Sequence, residues 1–143
     1  MYRHSFKVIL ILVILVLPLA LHFAFGQSEK KALRFGSVIC LRQEKVIEYR
    51  RLHSQVWPVV LNRLRECNIR NYSIYLKETE PGKYYLFSYY EYIGTDYTSD
   101  MAVLAADPEI KAWWKMTDPC QIPIQLKKEG EFWAGMDEVF HTD

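Results

Sequence analysis

Apolar residues change their spacing along this chain, and the changes mark out its elements. Val8 to Leu21 is an unbroken apolar run containing Pro18. From Arg34 to Leu41 apolar positions alternate: Phe35, Ile39 and Leu41 fall on one face, Val38 and Cys40 on the other. Both faces are largely apolar, which predicts an interior strand. From Lys45 to Glu66 the spacing lengthens, with Ile47, Leu52, Val56, Val60 and Leu64 recurring at helical intervals. Pro58 sits inside this helix and predicts a kink or short break after Trp57, because proline cannot donate to the residue four back. A turn over Asn68 to Arg70 leads into a strand from Asn71 to Lys77, where Tyr72, Ile74 and Leu76 alternate against Ser73 and Tyr75. Glu80-Pro81-Gly82-Lys83 has turn chemistry, and the aromatic strand Tyr84 to Ile93 completes a hairpin.

Thr98, Ser99 and Asp100 are capping residues for a short helix from Met101 to Ala106. Asp107-Pro108-Glu109 opens the next helix with an N-cap, a proline at the first position and an acid in the first turn. That helix holds Ile110, Trp113, Trp114 and Met116, and Asp118-Pro119 ends it. Gln121 to Glu131 reads as a loop and Trp133 to Phe140 as a last strand. The order strand, helix, strand, strand, helix, strand predicts an α+β, ferredoxin-like (split βαβ) fold. In it, helices cover one face of a four-stranded antiparallel sheet. The other face would be exposed and apolar, which predicts a homodimer with the two sheets face to face.

Composition divides the chain. Residues 1–26 have a positive start (Arg3, Lys7), the apolar run, and small residues at Ala24 and Gly26, the pattern of a secretory signal peptide. The run is short for a membrane span, which needs about 20 apolar residues. Two alternatives stand: cleavage after Gly26, or retention of residues 8–25 as an N-terminal anchor. Either expects an exported protein, periplasmic or secreted. Residues 27–33 read as a linker and 34–143 as the folded domain. The formal charge of the whole chain is +1, which gives no electrostatic footprint for nucleic acid. Cys40, Cys67 and Cys120 are too few and too odd in number for a disulfide framework.

Candidate chemistry follows by elimination. Of four histidines, His4 and His22 lie in the leader and His141 at the C-terminus, which leaves His53 as the well-placed group titrating near neutrality. No cysteine or histidine pair has metal-ligand spacing, and no phosphate loop or nucleophile elbow is present. Tyr49, His53 and Trp57 are spaced four apart, which on a helix puts them on one face. Such a stripe either packs in a core or faces a small polar ligand. Adjacent Trp113 and Trp114 point about 100° apart on a helix, so one indole can pack while the other lines a cavity. With Tyr72 added, the inventory suits a carbohydrate: aromatic faces stack on a sugar's C–H face while phenol and imidazole reach its hydroxyls.

Over Arg34 to about Phe140 the sequence resembles the L-rhamnose mutarotases. The matching pieces are Glu48-Tyr49-Arg50-Arg51 with His53, Trp57-Pro58, Asn71-Tyr72-Ser73-Ile74-Tyr75-Leu76, Trp113-Trp114-Lys115-Met116-Thr117-Asp118, and Glu138-Val139-Phe140. The resemblance implies the dimeric α/β-barrel form of the ferredoxin-like fold. It also implies interconversion of sugar anomers with no cofactor or metal, with His53 as acid and base and with Tyr49, Tyr72, Trp113 and Trp114 contacting the sugar. Two other readings stay open at this level: a cofactor-free oxygenase on the same fold, and a sugar-binding module without turnover.

Overall fold

A computed structural model describes residues 31–142; the expected leader and most of the linker lie outside the described residues. The first strand, β1 (Leu33–Leu41), has the alternation the sequence shows, with Ile39 and Leu41 buried. It is an interior strand. On one side it pairs antiparallel with β3 (Lys83–Tyr92) over its full length, from Leu33↔Tyr92 to Leu41↔Tyr84. On the other side two short segments share the edge, β4 (Gln121–Ile122) and β5 (Ala134–Met136). With β2 (Ile69–Glu80) outside β3, the order is β2-β3-β1-β4, and β5 also joins β1. This is the expected ferredoxin-like arrangement, with its last strand split in two.

The hairpin closes as its residues dictate. Pro81 and Gly82 make the turn, Gly82 takes φ +75°, and Lys83 Nζ meets Glu80 at 2.7 Å. At the other end of β2, Asn68 (φ 61°) terminates the preceding helix and Asn71 (φ 49°) sits in a β-bulge between Arg70 and Ser73. The extra residue lets Ile69 and Ile74, five apart, both pair beside residues of the helix-covered face, Tyr92 and Ser88.

Several expected boundaries are corrected: β2 begins at Ile69, inside the expected turn, and β4 falls in the segment Gln121 to Glu131 expected as a loop. The single helix over Lys45–Glu66 is two: α1 (Val46–Ser54) and α2 (Pro58–Glu66). The break precedes Trp57 rather than following it, because Pro58 takes the first position of a new helix and Trp57 is its extended N-cap (φ −60°, ψ 135°). The next helix, α3 (Tyr97–Ala106), starts earlier than expected and is capped by Asp96, whose carboxylate accepts from Ser99 N–H. Asp100 is occupied elsewhere, accepting from Tyr92 Oη and Asn68 Nδ2, each at 2.7 Å. The last strand pairs only over Ala134–Met136, and the register then continues through side chains, with Arg34 bound bidentately by Glu138 at 2.6 and 2.9 Å. The helix α4 (Pro108–Thr117) is as expected, with Asp107 accepting from Glu109 and Ile110 N–H.

Two apolar clusters hold the layers together. Leu52, Val60, Cys67, Leu104, Ile110 and Trp113 pack among the helices. Ile39, Leu41, Tyr49, Leu86 and Cys120 pack between α1 and the sheet. All three cysteines are free thiols. The helix-free face presents Val38, Tyr85 and Phe87, half-buried, and Tyr75, 64% exposed.

Candidate active site

A cavity of about 950 Å³ opens between the helix layer and the sheet, lined by members of both clusters. One wall is α1. Tyr49 and His53 are one turn apart there, and their rings stack at 4.1 Å. His53 Nδ1 lies 3.1 Å from the Tyr49 carbonyl oxygen. A carbonyl can only accept, so Nδ1 carries the proton and donates it. The neutral imidazole therefore leaves Nε2 as a lone-pair acceptor. Burial is the largest influence on this ring and lowers its pKa below the ordinary 6.5, against a smaller upward pull from that carbonyl bond. At neutral pH His53 is a free base.

The helix break redistributes the expected stripe. Tyr49 and His53 remain neighbours, but Trp57 leaves the face and meets Trp113 edge-on at 5.5 Å. Trp113 in turn meets His53 edge-on at 5.4 Å. The two indoles of α4 divide as their 100° offset predicts: Trp113 is 6% exposed and packed, Trp114 is 37% exposed, and both line the cavity. Tyr72 closes the sheet side, just beyond the Asn71 bulge. Burial pushes its phenol pKa up to about 12. Burial, with Tyr72 nearby, raises that of Tyr49 further. Both phenols stay protonated at any working pH.

The structure thus brings Tyr49, His53, Tyr72, Trp113 and Trp114 to one cavity, while Trp57 stands behind Trp113. Among the described residues nothing hydrogen-bonds the Tyr49 or Tyr72 hydroxyls, His53 Nε2 or the Trp113 indole N–H. These groups belong to residues that line the cavity, where donors and an acceptor are open to a ligand; the buried side-chain atom left without a partner among the described residues is Gln121 Oε1, outside the cavity lining. Tyr90 and Arg50 also line the cavity and escaped the sequence reading. In a strand as aromatic as β3, period-2 alternation was the only signal for Tyr90. His141 lies in the exposed tail beyond β5. No cluster of three or more His, Cys, Asp or Glu among the described residues could hold a metal ion.

The sequence model of the L-rhamnose mutarotases matches residues 34–142. The chain belongs to the L-rhamnose mutarotase family. Two relatives of that name, from Bacillus subtilis and Oceanobacillus iheyensis, are 31% and 29% identical. Each match covers 77% of this chain and 98% of the relative. The crystal structure of an L-rhamnose mutarotase from Formosa agariphila superposes with a TM-score of 0.57 over 78% of this chain and 99% of that one, at 20% identity. The fold is therefore shared, and the family match decides against the oxygenase alternative. The same matches correct the expectation of an exported protein. Two mutarotase relatives are covered over 98% of their length by about three quarters of this chain, and the family match begins at residue 34, so the family's domain needs no leader. No helix of the described residues is long and apolar enough to cross a membrane.

Proposed function

We propose that residues 34–143 form a mutarotase domain that interconverts the α and β anomers of L-rhamnose or a related deoxy sugar. The observation that carries this reading is the fixed tautomer of His53 in a cavity lined by unspent hydroxyl and indole donors. Nε2 takes the proton from the anomeric hydroxyl as the bond from the anomeric carbon to the ring oxygen breaks. The oxygen left on C1 becomes an aldehyde carbonyl, and the imidazolium returns its proton to the ring oxygen. The aldehyde end rotates and the steps reverse on the other face. Tyr49 and Tyr72 hold the oxygens, and Trp113 and Trp114 supply flat apolar walls. The cavity, at the upper end of the usual range for small-molecule sites, leaves room for that rotation.

Saturation-transfer NMR of anomer exchange across a panel of deoxy sugars tests the activity. Retained sugar binding without faster exchange would indicate a binding module instead. The same measurement as a function of pH tests the base. Catalysis needs neutral His53, so exchange is expected to be flat above neutrality and to fall with acid, its midpoint below 6.5. Stability moves the same way. The unfolded chain binds a proton at His53 that the folded one resists, so stability declines as pH drops from 6.5 towards the lowered pKa. An acid limb centred above 6.5 would assign the titration to another group.

The second part of the reading is a homodimer. Val38, Tyr85, Phe87 and Tyr75 make the helix-free face apolar and aromatic, and a second copy laid sheet to sheet would cover it with closed symmetry. Sedimentation of the domain at micromolar concentration is expected to give the dimer mass. A Tyr75→Asp, Phe87→Asp double variant is expected to shift it to monomer, and a monomeric wild type would remove this part.

A further inference from the structure

Strand β3 holds five tyrosines, and their hydroxyls have different fates. That of Tyr92 is saturated: it donates to Asp100 at 2.7 Å and accepts from Asp96 N–H at 2.9 Å. Tyr89 spends its proton on Glu91 at 2.8 Å. Tyr90 reaches the cavity wall. Its ring stacks on Phe35 at 5.0 Å and is met edge-on by Tyr72 at 5.6 Å. Its hydroxyl lies 2.7 Å from that of Tyr97, in the first turn of α3. Tyr97 is itself fixed, stacked on Phe35 at 4.5 Å and edge-on to Tyr92 at 5.2 Å.

One hydrogen bond between two hydroxyls uses one proton. The accepting phenol keeps its own O–H, and among the described residues no acceptor is within reach of it. When Tyr97 donates, the spare proton is on Tyr90, at the cavity, and the incoming bond polarises it. The ring contacts preorganise the pair, so little order remains to be imposed when a ligand arrives. Tyr90 approaches from the sheet and His53 from the helix layer. A single pyranose held at its anomeric carbon by His53 therefore turns other ring hydroxyls towards Tyr90.

We infer that Tyr90, positioned by Tyr97, is a specificity-determining contact that hydrogen-bonds a ring hydroxyl of the sugar other than the anomeric one. This rests on reading the cavity as a pyranose site. Tyr90→Phe and Tyr97→Phe keep every ring contact and remove only a hydroxyl. Anomer exchange is measured by saturation-transfer NMR for wild type and both variants, on L-rhamnose and its 2-, 3- and 4-deoxy analogues. Tyr90→Phe is expected to raise KM for L-rhamnose about 2–10-fold, the worth of one hydrogen bond, with kcat within about two-fold. One analogue, lacking the contacted hydroxyl, is expected to show the same KM with wild type and variant. Tyr97→Phe is expected to shift KM less, and for the same sugars. Unchanged KM in Tyr90→Phe, or an equal rise for L-rhamnose and every analogue, overturns the inference and leaves the mutarotase reading intact. A wild type that accelerates no sugar's exchange sinks both.

Discussion

His53→Asn is expected to slow anomer exchange by about 10²–10⁴-fold while sugar binding and folding persist. The size is that of losing a positioned proton-transfer group. Asparagine keeps an amide that can still reach the Tyr49 carbonyl, the partner 3.1 Å from Nδ1 in the native protein. It has no nitrogen that accepts a proton near neutral pH. Tyr49→Phe is expected to fall much less, by about one hydrogen bond or on the order of 1 kcal/mol net, because its phenol orients rather than titrates. Line exchange between the α and β anomers at matched enzyme concentration measures both. An Asn variant working at the wild-type rate would make His53 a packed core residue and remove the mechanism.

Trp113→Ala is expected to produce the largest loss of stability, about 3–5 kcal/mol, a typical cost for deleting a buried indole. Trp113 is 6% exposed, belongs to the helix-layer core, and braces both His53 and Trp57 by edge contacts. A domain of this size rarely has more than 5–15 kcal/mol in total, so the variant should unfold on the order of 10–20 °C lower. Its exchange rate should also suffer, since the ring that holds the His53 edge is gone. Trp114→Ala, at a 37% exposed residue, should cost little stability and act on KM. Calorimetry beside the exchange assay separates the two. If both variants melt and bind alike, the pair has no division of labour.

Much of this was legible in the sequence, and the failures share a cause. The β1 alternation, the Pro81-Gly82 turn and the Asp107-Pro108 cap are local signals with local mechanisms, and each holds in the structure. The pairing of Tyr49 with His53 is likewise a matter of one helical turn. Errors arose where a distant partner decides. Thr98, Ser99 and Asp100 all have capping chemistry, but Asp100 is claimed by Tyr92 and Asn68, which leaves the cap to Asp96. The alternation after Trp133 runs on to Phe140, yet β5 stops at Met136, where the pairing passes from backbone to the Arg34–Glu138 pair. Pro58 announces a break, but helical spacing runs through the α1–α2 junction and hides that the break lies before Trp57, which takes Trp57 off the Tyr49–His53 face. Tyr90 was hidden as one of five tyrosines in a single strand.

The carbonyl that fixes the His53 tautomer belongs to the main chain at position 49 and not to any side chain. In many enzymes the group that orients a catalytic histidine is a carboxylate, which a single mutation can delete. Here it is present whichever amino acid occupies the site, for as long as α1 remains wound. Two traits that meet at one residue are therefore inherited separately. A lineage can exchange the Tyr49 side chain to suit a different sugar without disturbing where the histidine keeps its proton.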